Sequence, residues 1–198
     1  MGADNTYGQI FVKGAELDEL LKFLRQVYAA DGYVPFDVTK VPKGYPALKG
    51  EFRQIAYGRD GDAATCVFLL REYRLTFETA LALSREVSDL LVVACVSDDA
   101  YGERWKGYEN GQVVLKLGDD PDDELLYEVE ESDEDAILEF AREWGVTAPS
   151  PDEVTDVAAL LGIRREPISF KDAVAGRWPF GLDLELFVSK RSRLYMEG

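Results

Sequence analysis

The sequence predicts an α+β fold: a mixed, mostly antiparallel sheet of about six to eight strands, with amphipathic helices packed on it and a helical C-terminal third. Three observations predict it. Short β-rich runs come in pairs around turn residues, as Phe52–Tyr57 and Thr65–Tyr73 do around Gly58-Arg59-Asp60-Gly61-Asp62. Elsewhere the apolar period becomes helical, at residues 15–30, 76–89 and 133–144. Finally, 198 residues with 46% hydrophobic side chains are globular in composition and suit a single domain over 1–198. That domain is expected to be helix-rich at 132–181 and to end in a strand within 182–195.

Each element has its own signal. Tyr7–Val12 is a short β-rich run ending at Lys13-Gly14. Leu17, Leu20, Leu21, Leu24, Val27 and Tyr28 then line one helix face, and Asp31-Gly32 stops that helix. Residues 33–52 hold Pro35, Pro42, Pro46, Gly44 and Gly50 and read as a long irregular connection. After the hairpin, Thr76 is expected to cap a second helix buried through Phe77, Ala80, Leu81, Leu83, Ser84 and Val87. Leu90–Val96 is apolar on both faces, which predicts a central strand. Tyr101–Tyr108 and Gln112–Leu117 enclose Asn110-Gly111, the strongest short hairpin signal. Leu125–Val129 reads as a further strand, and Ser132 opens a helix with apolar Ala136, Ile137, Phe140, Ala141 and Trp144. A short helix at 152–161, helical turns near Ser169–Ala175 and a terminal strand at Leu184–Val188 complete the reading, ahead of the basic tail Lys190-Arg191-Ser192-Arg193. The strand-helix pairs at 7–28 and 125–144 echo one another without establishing a duplication.

Charge removes several function classes. The chain has 38 acidic residues, 22 basic ones and no histidine, a net charge of -16. Such a field repels nucleic-acid phosphates and anionic membranes, so neither is an expected partner. Without histidine there is no Ser-His-Asp or Cys-His catalysis and no imidazole metal ligand. Residues 1–7 lack a basic and apolar leader pattern, and the longest apolar run is seven residues, against roughly 20 for a membrane span. Gly2 and Thr6 match a myristoylation pattern, with no basic patch beside them. A soluble protein of the bacterial cytoplasm is expected. Cys66 and Cys95 read as buried free thiols in neighbouring strands, since neither has CxxC spacing. No phosphate-binding glycine motif occurs, and no cofactor or metal is expected.

The most unusual stretch is acidic. Between 119 and 139 lie 12 acidic residues and no Lys or Arg. Read as a calcium loop from Asp119, its sixth and twelfth positions are Glu124 and Glu130, so the turn glycine is missing. It can also be a solvated loop and helix N-terminus, or a docking surface for a basic partner. The candidate partner-binding residues are Asp119, Asp120, Asp122, Asp123, Glu124, Glu128, Glu130 and Glu131, with Tyr101, Trp105 and Tyr108 as aromatic anchors. Trp105 and Tyr108 alternate with Arg104 and Lys106, which leaves one face of that strand open to exposure. Trp178 and Phe180, within Gly176–Gly181, fit either an interface or a core plug. Asp98 and Asp99, expected just beyond the central strand, fall where α/β folds place catalytic carboxylates, with Glu103 as a nearby third acid. Adjacent Asp residues at a strand end are also ordinary turn formers.

Leu91–Tyr101, the Asn-Gly hairpin and Asp119-Asp120-Pro121 together resemble a pattern in small bacterial cytoplasmic proteins. Some of these are immunity proteins that neutralise polymorphic or contact-dependent toxins. The resemblance covers about residues 90–130, implies binding through acidic and aromatic surface residues, and carries over no catalytic residue. The expected function is therefore an acidic, non-enzymatic inhibitor that occludes the basic cleft of a toxin or nuclease. The alternatives are a metal-dependent hydrolase using Asp98, Asp99 and Glu103, or a regulatory or structural module.

Overall fold

The structure, a computed structural model, describes residues 6–46, 50–59, 65–99, 102–118, 168–177 and 181–196. Its strands are β1 (Tyr7–Lys13), β2 (Tyr33–Phe36), β3 (Phe52–Arg59), β4 (Thr65–Leu70), β5 (Val92–Asp98), β6 (Gly102–Glu109), β7 (Gln112–Leu117) and β8 (Asp183–Ser189). They form one sheet in the order β2-β8-β3-β4-β1-β5-β6-β7, and every described pair is antiparallel. The helices are α1 (Leu17–Ala30), α2 (Thr76–Glu86), a single turn α3 (Phe170–Asp172) running into a wider turn at Ala173–Arg177, and α4 (Arg193–Met196). The chain is α+β. The expected strand at 125–129 and the helices at 133–144 and 152–161 lie outside the described residues, as do Tyr101, Trp178 and Phe180.

Alternation along the strands divides the core in two. Ile10 and Val12 of β1, Phe68 and Leu70 of β4, and Val92 and Ala94 of β5 face α1 and α2, which insert Leu20, Leu24, Tyr28, Ala80 and Leu83. Phe11, Val67, Leu69, Val93 and Trp105 point the other way, into a second cluster that also holds Ala173. Burial on both faces explains why β4 and β5 are apolar without alternation. A third cluster packs Leu186, Val188 and Leu194 against Phe36, Val41, Tyr45 and Phe52.

Local chemistry accounts for the turns. Gly32 follows α1 at φ +83, the left-handed conformation that a helix stop favours. Asn110 and Gly111 both have positive φ, 49 and 78, as a two-residue hairpin matched to strand twist requires. At Gly8 the constraint is contact: an added Cβ would lie 2.0 Å from Thr76 Oγ1 and 2.8 Å from Tyr73 Cα. Only glycine lets β1 pass the start of α2 this closely.

Several expectations change. Residues 33–36 are a strand, hidden in the sequence because Pro35 sits in a four-residue edge whose partner, β8, comes some 150 residues later. Thr76 is the first residue of α2 and makes no capping bond; Leu75 occupies the cap position. Asp98 ends β5 instead of following it, so only Asp99 lies in the turn. Cys66 and Cys95 are free and buried, but β1 separates their strands and they face opposite cores.

Candidate functional site

Among the described residues, the end of the sheet where β1 starts and β5 meets β6 brings together Cys95, Asp98, Glu103 and Trp105, which the sequence singles out. Across it, Tyr7 pairs with Ser97 and Ser97 with Glu103, so the three side chains share one face. The next row is Gln9, Cys95 and Trp105. Glu103 accepts hydrogen bonds from the Tyr7 hydroxyl and, at 2.6 Å, from Trp105 Nε1. Burial, helped by Cys95 and Glu103, holds the Tyr7 hydroxyl protonated far above the usual tyrosine range. Gln9 is fully buried and donates to the Ile168 carbonyl at 2.5 Å, which ties the α3 segment to the sheet.

Asp98 lies one residue out of phase with Ser97 and therefore projects from the opposite, helix-bearing face. There Arg104 Nη2 meets its carboxylate at 2.6 Å, and both side chains are largely buried. Arg104 and Lys106 lie beside the Phe77 ring of α2, 5.9 and 4.9 Å from its centroid. Asp98 and Glu103 thus diverge across the sheet, and each holds strands together. They do not form a carboxylate pair, and among the described residues no group of three or more acidic or cysteine side chains is placed to hold a metal ion.

The aromatic anchors need correction. Trp105 is 2% exposed and Tyr108 3% exposed, so neither offers a surface ring. Trp105 stacks near Phe11, with centroids 6.1 Å apart, while Tyr108 joins the core under the helices. Their opposite parity and cover on both sides of β6 account for this. Arg104 and Lys106 are buried as well, at 7% and 8%. Amphipathic alternation cannot reveal a strand whose charged side chains are themselves covered.

Asp119, Asp120, Asp122, Asp123, Glu124, Glu128, Glu130, Glu131 and Tyr101 lie outside the described residues. The residue that precedes the acidic run is described. Gly118 follows β7 at φ +82, and an added Cβ would stand 2.7 Å from the Glu103 carbonyl oxygen. The last described residue before the run, Gly118, thus lies against β6.

Sequence reasoning missed a second polar assembly, around Arg53. Its guanidinium sits 4.1 Å from the Tyr33 ring centroid and 4.9 Å from that of Tyr28, and bonds Asp31 at 2.7 Å. It lines a cleft of about 240 Å³ between α1 and α2, together with Gln26, Glu78, Arg85 and Glu86. The cleft is below the usual size of small-ligand pockets. Nearby, burial raises the Glu72 carboxyl above its ordinary range, against the hydrogen bond from Gln54 N–H and the field of Arg53. No single-residue pattern announces this assembly, because its members come from four separated segments. No protein family matches the chain, and neither curated proteins nor solved structures give a match.

Proposed function

We propose that the chain is a protein-binding inhibitor of immunity type, acting in the bacterial cytoplasm, whose residues 119–131 occupy the basic, substrate-binding cleft of a toxin or nuclease domain. One observation carries the reading: 12 of the 38 acidic residues fall within 119–139, where there is no Lys or Arg. The remaining 26 nearly balance the 22 basic residues, so the excess charge is local. Clustered like charge repels itself, and a basic partner relieves that repulsion. The burial of Trp105 and Tyr108 removes them as anchors, so steering by charge carries more of the recognition. No described helix is long and apolar enough to cross a membrane.

A metal-dependent hydrolase built on Asp98, Asp99 and Glu103 is the second reading, and the divergence of Asp98 and Glu103 counts against it. Affinity capture from the native cell, followed by assay of the captured basic domain, tests the first. The inhibitor reading expects a one-to-one complex in which the partner's activity on its polyanionic substrate is suppressed. A captured partner that stays fully active in the complex would contradict it.

A further inference from the structure

On a chain of net charge -16, one surface is basic. The loop after β2 carries Lys40 and Lys43, and the stretch after β8 carries Lys190, Arg191 and Arg193, all exposed. Packing brings the two stretches together. Val41 and Tyr45 of the loop and Leu194 of α4 meet over Leu186 and Val188, and Lys190 N–H bonds the Gly32 carbonyl at 2.9 Å. No ion pair within 4 Å is found for these five cations among the described residues, although Lys40, with the hydrogen bonds from Thr39, helps hold the exposed Asp37 carboxyl below its ordinary range. Beside them stand Val38, 59% exposed, Tyr195, 42%, and Met196, 66%. Three of the five large apolar side chains exposed among the described residues therefore lie in the same two stretches as these exposed cations.

A surface of this kind fits an acidic segment that also carries apolar side chains. A bare phosphate backbone would use the cations and leave Val38, Tyr195 and Met196 idle. The chain itself contains a matching segment: residues 119–131 interleave acidic side chains with Leu125, Leu126, Tyr127 and Val129. Chain geometry keeps its first part from its own basic surface. β7 and β8 are six strand positions apart, roughly 29 Å at about 4.8 Å per strand. Asp119–Glu124 can extend no further than about 21 Å from Gly118 at roughly 3.5 Å per residue. These five acids therefore cannot reach the basic surface of their own copy, whereas Leu125–Val129 are far enough along the chain to do so.

We propose that the basic, partly apolar surface formed by residues 38–45 and 190–196 is a docking surface for the acidic segment 119–131 of a second copy of this chain. The contact is heterologous: the acidic end of one copy meets the basic end of the next. The copies repel overall, but that repulsion is screened beyond about 8 Å at physiological ionic strength, whereas the contact acts at short range. The proposal does not depend on the inhibitor reading, since no foreign partner takes part.

Sedimentation velocity on the full chain tests it, from about 5 to about 500 µM, a range that covers weak contacts. The readings are taken at about 0.1 M and about 1 M salt, where the Debye length falls from about 10 Å to about 3 Å. The expected result is concentration-dependent association whose Kd rises at least about ten-fold at the higher salt. R191E/R193E and D119N/D120N/D122N/D123N should each be monomeric alone. Mixed in equal amounts they should form a one-to-one dimer, because each keeps one intact half of the contact. Thermal melts check folding, with R191Q/R193Q in reserve. A wild-type chain that stays monomeric throughout would overturn the proposal, as would variants that associate unmixed or a silent mixture. A monomer that instead binds DNA or anionic vesicles through Arg191 and Arg193 would reassign the surface and equally overturn it.

Discussion

Trp105 fills the core between the sheet and the α3 side, stacked near Phe11 and bonded through Nε1 to Glu103. Replacing it by alanine leaves a large cavity and deprives Glu103 of a donor. Trp105→Ala should lower the unfolding free energy by about 3–5 kcal/mol in urea titrations, and a loss below about 1 kcal/mol would mean that the ring is not packed as described. Glu72 supplies a prediction in pH. Its folded pKa is raised, chiefly by burial. Between the unfolded value, about 4.3, and the higher folded one, the native state keeps a proton that the unfolded chain has released. The stability from this group is complete below the unfolded pKa and is lost as pH rises through the folded one. Glu72→Gln does not titrate, so its melting temperature relative to wild type should improve between pH 4 and pH 7. A difference that is flat or falls across that window would refute the assignment.

At the scale of elements, β1 carries the heaviest constraint, because it joins β4 to β5 and passes α2 at Gly8. Gly8→Ala places a Cβ against Thr76 Oγ1 and the Tyr73 backbone. It should cost more than the roughly 1–3 kcal/mol of ordinary overpacking, seen as a lowered melting temperature or a failure to fold. A wild-type melt for Gly8→Ala would show that β1 and α2 are not in this contact. Elements with a strong local pattern were legible in the sequence: α1 from its spaced leucines, the β6–β7 hairpin from Asn110-Gly111, and β5 from its apolar run. β2 was not, because four residues around a proline become a strand only by pairing with β8. The pairing that separates Cys66 from Cys95 was hidden for the same reason, since strand order is a property of distant contacts. Exposure of Trp105 and Tyr108 depended on what covers both faces of β6, which alternation cannot report.

For the whole molecule the decisive quantity is the distribution of charge. The sheet places its β2–β8 end, which bears the exposed cations of residues 38–45 and 190–196, at the opposite side from β7, after which the acidic run follows in the sequence. This polarity was half legible: composition located the acidic run, but the basic surface required the fold to bring residues 38–45 and 190–196 together. If residues 119–131 steer the chain onto a basic partner, their effect belongs to encounter, because exposed charges act over distance and are screened by salt. The most direct test is the association rate constant with the captured basic domain, measured by stopped flow across salt concentrations. The comparison is between wild type and D119N/D120N/D122N/D123N. The inhibitor account predicts a wild-type rate that falls steeply with salt, and a variant rate about ten-fold lower at low salt that converges with wild type as salt rises. Equal rates for the two proteins at low salt would contradict it and reduce the acidic run to a solvated surface.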